Sequence, residues 1–116
     1  MICNDISAFI SMNPVDFWFL KSINFVRKID YFEFSRFDVE IIITKKIAGK
    51  KIEDLQLRCT GVFDVSIGDI ESGAGLQVEI EDVSARQLEG ASFKVFDAEQ
   101  GAFSFFCKDF FVELMP

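Results

Sequence analysis

Histidine is absent from this sequence of 116 residues. The commonest general acid or base at neutral pH, the usual activator of a Ser or Cys nucleophile and the commonest metal ligand are therefore missing, and a Ser-His-Asp triad is excluded. Long apolar runs are missing too. The longest is the four residues "FWFL" from Phe17 to Leu20, whereas a membrane-spanning helix needs about 20. No Lys or Arg precedes Lys21, and Asp5 stands where an export signal would be basic, so the expected location is the cytoplasm. Three cysteines, Cys3, Cys59 and Cys107, form no CxxC pair and leave an odd thiol, which fits reduced, buried side chains rather than a disulfide framework.

What is abundant is phenylalanine, with fifteen copies against one Trp and one Tyr. The length is that of one ordinary domain spanning residues 1–116, and a chain half hydrophobic and more than a quarter charged belongs with soluble globular proteins. From Leu55 to Ile67 the odd positions are apolar or Gly and the even ones polar, with Val62 as the exception, which is the period of a half-buried strand. Gly61 interrupts that strand as a bend or bulge. The same alternation puts Phe37, Val39, Ile41 and Ile43 inward on a second strand, and Leu76, Val78 and Ile80 inward on a third. The turn-forming stretches "KKIAGKK" and "GDIESGAG" separate them.

Near the C-terminus "DAEQG" joins a strand at 92–96 to one at 102–107. Phe103, Phe105 and Cys107 share one parity whereas Phe110, Val112 and Leu114 share the other, so the inward face switches at Lys108 and Asp109, through a tight turn or a bulge at a sheet corner. Most of the Phe residues are thereby expected in the core, with Phe96, Phe106 and Phe111 on the opposite face. At the other end Asn13, Pro14 and Asp16 offer a cap, a first-turn proline and a first-turn acid, the signals of a short helix. A hairpin through Ile23 to Ile29 and Tyr31 to Phe34 is expected to follow. The expected fold is mainly β, an antiparallel sandwich or open barrel of about seven or eight short strands with a short N-terminal helix.

No catalytic, metal-binding or cofactor signature emerges. The "GAG" at Gly73 to Gly75 lacks the rest of a phosphate-binding fingerprint and reads as a turn. Cys59 and Cys107 lie on inward parity with no basic neighbour to activate either thiol. Glu79 and Glu81 are two apart on one outward strand face, where they share one solvated environment, unlike the two differing environments that acid and base catalysis requires. The charge map says more. Residues 1–58 carry nine basic against eight acidic residues, whereas residues 59–116 carry three against eleven. No Lys or Arg lies between Arg58 and Arg86, where Asp64, Asp69, Glu71, Glu79, Glu81 and Asp82 fall. These six are expected to form an acidic patch on one sheet face and its edge. Such a patch repels nucleic acid and anionic lipid and attracts a basic protein, with Phe96 or Phe106 as an aromatic anchor beside it.

The stretch "EDLQLRCTGVFDVSIGDIESG", followed by "GLQVEIEDV" and "ASFKVFDAEQGAFSFFCKDFFVEL", resembles small bacterial immunity proteins of polymorphic-toxin and contact-dependent growth inhibition systems. The matching positions are Leu55, Leu57, Arg58, Gly61, Val62, Asp64 and Val65, then Phe93, Phe103, Phe105 and Cys107. The resemblance covers roughly residues 53–114 and rests on fold-forming positions. The Tyr31 to Phe37 stretch is richer in aromatics than that pattern, and His is lacking. The resemblance implies a protein without enzymatic activity, a monomer or weak dimer, that binds and neutralises a cognate toxin domain. Acidity independently suits a basic toxin such as a nuclease, because carboxylates can occupy a cleft built for phosphates. The alternative from another class is a small β-barrel whose Phe-lined interior holds an apolar or carbohydrate ligand.

Overall fold

The computed structural model describes residues 1–27, 36–46, 52–86 and 90–115. Among these, eight antiparallel strands form a curled open sheet, a half-barrel, with one short helix near the N-terminus. In chain order they are β1 (Ile2–Cys3), β2 (Phe19–Arg27), β3 (Phe37–Lys46), β4 (Ile52–Ile67), β5 (Val78–Asp82), β6 (Phe93–Asp97), β7 (Phe103–Cys107) and β8 (Asp109–Met115), with helix α1 at Ile6–Ser11. The mainly β architecture and the helix match the reading of the sequence. The longest strand, β4, organises everything else. Its first half lies between β3 and β8, and its second half pairs with β7, which continues to β6 and β5.

Alternation explains the core. Val39, Ile41 and Ile43 of β3, Leu55, Leu57 and Cys59 of β4, Phe103, Phe105 and Cys107 of β7, and Phe110 and Val112 of β8 are all buried. Each large side chain removed from water contributes about 1.5–3 kcal/mol. Phe110 sits at the centre, edge-on to Phe93 at 4.8 Å and to Phe9 of α1 at 6.5 Å. Burial pushes the Cys59 thiol well up, and the neighbouring Cys107 thiol adds to the shift, so Cys59 stays protonated as a core group. Cys3 departs from the expectation of burial. It lies on the two-residue strand β1 at the sheet margin, where it is exposed.

Parity along β4 is where the sequence reading needs correction. Gly61 takes a left-handed φ of 62°, and the register to β3 slips there, with Cys59 opposite Val39 but Val62 opposite Phe37. One extra residue turns the strand over. Val62, the apparent exception, is therefore fully buried, while Phe63 and Val65 are half-buried and Ile67 is 45% exposed. A second slip between Phe63 and Ser66, where Asp64 has a φ of 55°, bends β4 again.

The inward face of the β7–β8 track switches at the same corner. The Lys108 amide donates to the Thr60 carbonyl at 3.0 Å, and a Cβ on Gly61 would lie 3.1 Å from the Lys108 Cβ. Asn4 secures the turn from outside: its side-chain oxygen accepts from the Phe110 amide at 2.8 Å and its side-chain nitrogen donates to Asp109 at 2.9 Å. Gly61→Ala combines left-handed strain with that tight approach and is expected to destabilise by about 1–2 kcal/mol. Urea unfolding checks this, with the m-value expected to be unchanged.

The N-terminal helix lies earlier than its signals suggested. Asp5 caps α1, its carboxylate accepting from the Ala8 amide at 3.0 Å, while Asn13 adopts a left-handed φ of 54° and makes no side-chain cap. Pro14 lacks a donor, and the chain after it completes one 3₁₀ turn over Pro14–Asp16. Part of the expected hairpin is present as β2, which pairs with β3 from Phe19↔Thr44 to Arg27↔Phe37. Its expected continuation through Ile29 and the segment from Tyr31 to Phe34 lie outside the described residues. Lys21 of β2 reaches over β3 to Asp54 of β4 at 2.7 Å. That ammonium, with a hydrogen bond from Thr44 of β3, holds the Asp54 carboxyl below its ordinary value.

Candidate functional site

The outward face of the β4–β7–β6–β5 half carries two cross-strand rows. One runs Glu79, Phe96, Ser104, Ser66, and the other Glu81, Lys94, Phe106, Phe63. Phe63 and Phe106 stack at 5.7 Å, Arg36 lies 3.9 Å over the Phe63 ring, and Lys94 approaches the Phe96 ring at 5.2 Å. The face is thus an aromatic strip, half-buried, bordered on the β5 side by carboxylates.

All six acidic residues named from the sequence are exposed. Glu79 and Glu81 project side by side from β5, roughly 7 Å apart as alternate strand positions are. Glu81 is paired with Arg86 at 2.6 Å and lies opposite Lys94, whereas no Lys or Arg among the described residues pairs with Glu79. Asp82 ends β5, and its carboxylate accepts from the Ser84 hydroxyl at 2.6 Å and the Ser84 amide at 2.9 Å; these bonds hold its carboxyl below the ordinary value. Asp69 and Glu71 lie in the loop between β4 and β5, where Asp69 accepts from the Glu71 amide at 3.0 Å. Asp64 stands on β4, three strands from β5, roughly 14 Å away at the usual strand spacing.

Two internal braces position β5. The β6–β7 hairpin is built on Asp97, only 4% exposed, whose two carboxylate oxygens accept from the amides of Gln77, Glu99, Gln100 and Ala102 at 3.0–3.3 Å. Burial alone would raise its pKa, but the four donors outweigh it and leave the carboxyl below its ordinary value. The Gln77 bond fixes the entrance to β5. On the other side the loop before β5 meets the start of β2: Phe19 bridges Ala74, the Leu20 amide donates to the Gly73 carbonyl at 2.7 Å, and the Leu76 amide donates to the Trp18 carbonyl at 3.0 Å.

Beside β5 lies a feature that the sequence did not signal. A groove of about 330 Å³ runs between β5 and the α1–turn segment, walled by Ile10, Pro14, Val15, Val78, Glu79 and Ile80. Ile10 and Val15 are 62% and 56% exposed, and Trp18 nearby is 41% exposed. A six-residue helix shows too little periodicity to reveal its outward face, and the residues facing each other are more than sixty apart in the chain. A second groove, of about 400 Å³, crosses the outer face of the other half between Asn24, Glu40, Arg58 and Phe111. Among the described residues, no cluster of three or more Cys, Asp or Glu is placed to hold a metal ion, and no helix is long and apolar enough to cross a membrane.

Comparison with protein families gives a match to the model of "Immunity protein PIM8" over residues 1–113. The chain belongs to this immunity protein family. Neither a curated protein nor a solved structure matches it significantly. Membership supports an immunity function and, with it, the binding of a cognate toxin. The family match extends over the N-terminal helix and β2 as well as the second half from which the resemblance was read, so the groove between α1 and β5 falls wholly inside it.

Proposed function

We propose that this immunity protein acts in the cytoplasm without catalysis, binding a basic toxin domain, such as a nuclease, through the acidic border of the β5–β6–β7 face. Family membership is the observation that carries the reading. The arrangement of the face supports it: Glu79, Glu81 and Asp82 lie at the margin of a half-buried aromatic strip, and anchors of that kind ringed by charge are the anatomy of protein interfaces. Asp64, Asp69 and Glu71 extend the negative field along the same half and steer a cationic partner during approach. The core, filled by Phe9, Phe93, Phe103, Phe105 and Phe110, favours this inhibitor over a barrel holding an apolar or carbohydrate ligand.

Co-purification with the variable C-terminal domain of a secreted protein encoded beside it tests the partner, and protection of cells expressing that domain tests the activity. Reversing Glu79, Glu81 and Asp82 to Lys is expected to slow association about tenfold or more and to flatten its dependence on ionic strength, with the fold retained because all three are exposed. Stopped-flow measurement of the association rate across salt concentrations reads both effects. An unchanged rate would remove the acidic face from the mechanism.

A further inference from the structure

α1 and the Pro14–Asp16 turn pack against the side of β5 away from β6, and Val78 and Ile80 are buried beneath them. The two layers do not meet flush. The groove left between them is walled on its outer side by Ile10, Pro14 and Val15, with Ile10 and Val15 more than half exposed. Three polar side chains open onto the same groove, those of Asn13, Gln77 and Glu79. The Gln77 backbone is committed to Asp97 and Ala98, and the Asn13 backbone to Ile10 and Asp16. Among the described residues, however, none of the three side chains makes a hydrogen bond or ion pair to the protein. No described Lys or Arg lines the groove, and the exposed Asp16 adds a further carboxylate in the adjoining turn.

Apolar walls with oxygen acceptors at the mouth match one kind of side chain, a methylene stem that ends in a cation. Arginine fits better than lysine. Its planar head carries five donors, enough for both oxygens of Glu79 and for the side-chain carbonyls of Asn13 and Gln77, and it is more weakly hydrated than an ammonium. The volume, about 330 Å³, holds one long side chain, whereas a single turn of helix, about 5 Å long and 10 Å across, is already larger. We infer that this groove receives one arginine of the toxin domain, its stem along Ile10 and Val15 and its guanidinium on Glu79. The inference rests on the inhibitor reading and deepens it by naming the anchor. Glu81 and Asp82 cannot take the same role, because Glu81 already holds Arg86 at 2.6 Å and Asp82 is engaged by Ser84. They steer by their field, and Glu79 binds by contact.

The test measures dissociation of the complex between the full chain and the C-terminal toxin domain encoded beside it. Glu79→Gln should raise the dissociation rate about tenfold or more, and so should Ile10→Ser and Val15→Ser, whereas Glu81→Gln and Val26→Ser should leave it within about twofold. All five positions are exposed, and urea unfolding should show the fold retained in each. Changing each arginine of the toxin domain to Ala in turn should find one whose loss is non-additive with both Glu79→Gln and Ile10→Ser. A complex that tolerates Glu79→Gln, or is weakened by it but tolerates both wall variants, overturns the pocket and leaves the inhibitor reading standing. The absence of any coupled arginine does the same. Failure of the parent chain to form a complex overturns both.

Discussion

Phe105→Ala is expected to remove about 4 kcal/mol of stability, within the range for truncating a fully buried Phe. The side chain has no solvent exposure, sits near Phe103 at 6.2 Å, and lies on an interior strand of the β4–β7–β6–β5 half. Its surroundings come from several strands that fix one another, so they cannot collapse into the space it leaves. A domain of this kind holds roughly 5–15 kcal/mol in total, so the variant would stand close to the limit of folding. Denaturant titration reads the loss directly. Phe96→Ala is the control: the ring is half-buried on the opposite face, and a loss of about 1 kcal/mol is expected. Equal losses would mean that the inward and outward faces are exchanged.

Asp97→Ala should destabilise by about 3 kcal/mol, a large effect for a side chain that packs no core. Both carboxylate oxygens are used, one by Gln77 and Glu99, the other by Gln100 and Ala102. Hydrogen bonds to a charged group are worth about 1.5–3 kcal/mol each, and the buried Ala102 amide has no access to water as a substitute. Asn is no remedy, because its nitrogen would place donors against donors. The pH dependence follows from the same bonds. The folded carboxyl lies below its ordinary value, so the stability it contributes is fully present above the unfolded value of about 3.9 and is lost as pH falls through the folded value. Asp54 contributes with the same sign through Lys21 and Thr44. In Asp97→Asn the acid limb of the stability curve should become shallower, as measured by urea midpoints between neutral pH and about pH 3.

Much of the fold was legible because strands write their faces with period two. β5, β6 and β7 bury the residues that alternation selects, and β3 and β8 do so except at their ends, where Phe37 is half-buried and Leu114, expected inward, is 48% exposed. What alternation cannot show is the point where it inverts. Gly61 is visible as an interruption, but only pairing with β3 shows that an extra residue is absorbed there and that Val62 becomes the inward side chain. The helix was misplaced because Asn13 and Pro14 mark a terminus without saying which side is helical, and the cap that forms is made by Asp5. For the candidate site, the outward positions of Glu79 and Glu81 followed from parity. The basic groups set against Glu81 did not, because Lys94 is brought opposite only by register and Arg86 by a turn. The groove depends on residues 9–15 meeting 77–80, a contact with no local signature.

The pairing of Ile2 with Val112 and of Cys3 with Phe111 has a consequence for how this protein comes into being. A ribosome delivers β1 about a hundred residues before β8, so the margin of the sheet, with the Asn4 clasp on Phe110, can close only after β8 has emerged. Strand partners this distant in sequence make folding slow among small domains, on the scale of milliseconds to seconds. Newly translated molecules therefore pass through an interval in which Phe9 of α1 has been made and Phe110, the ring it packs against, has not.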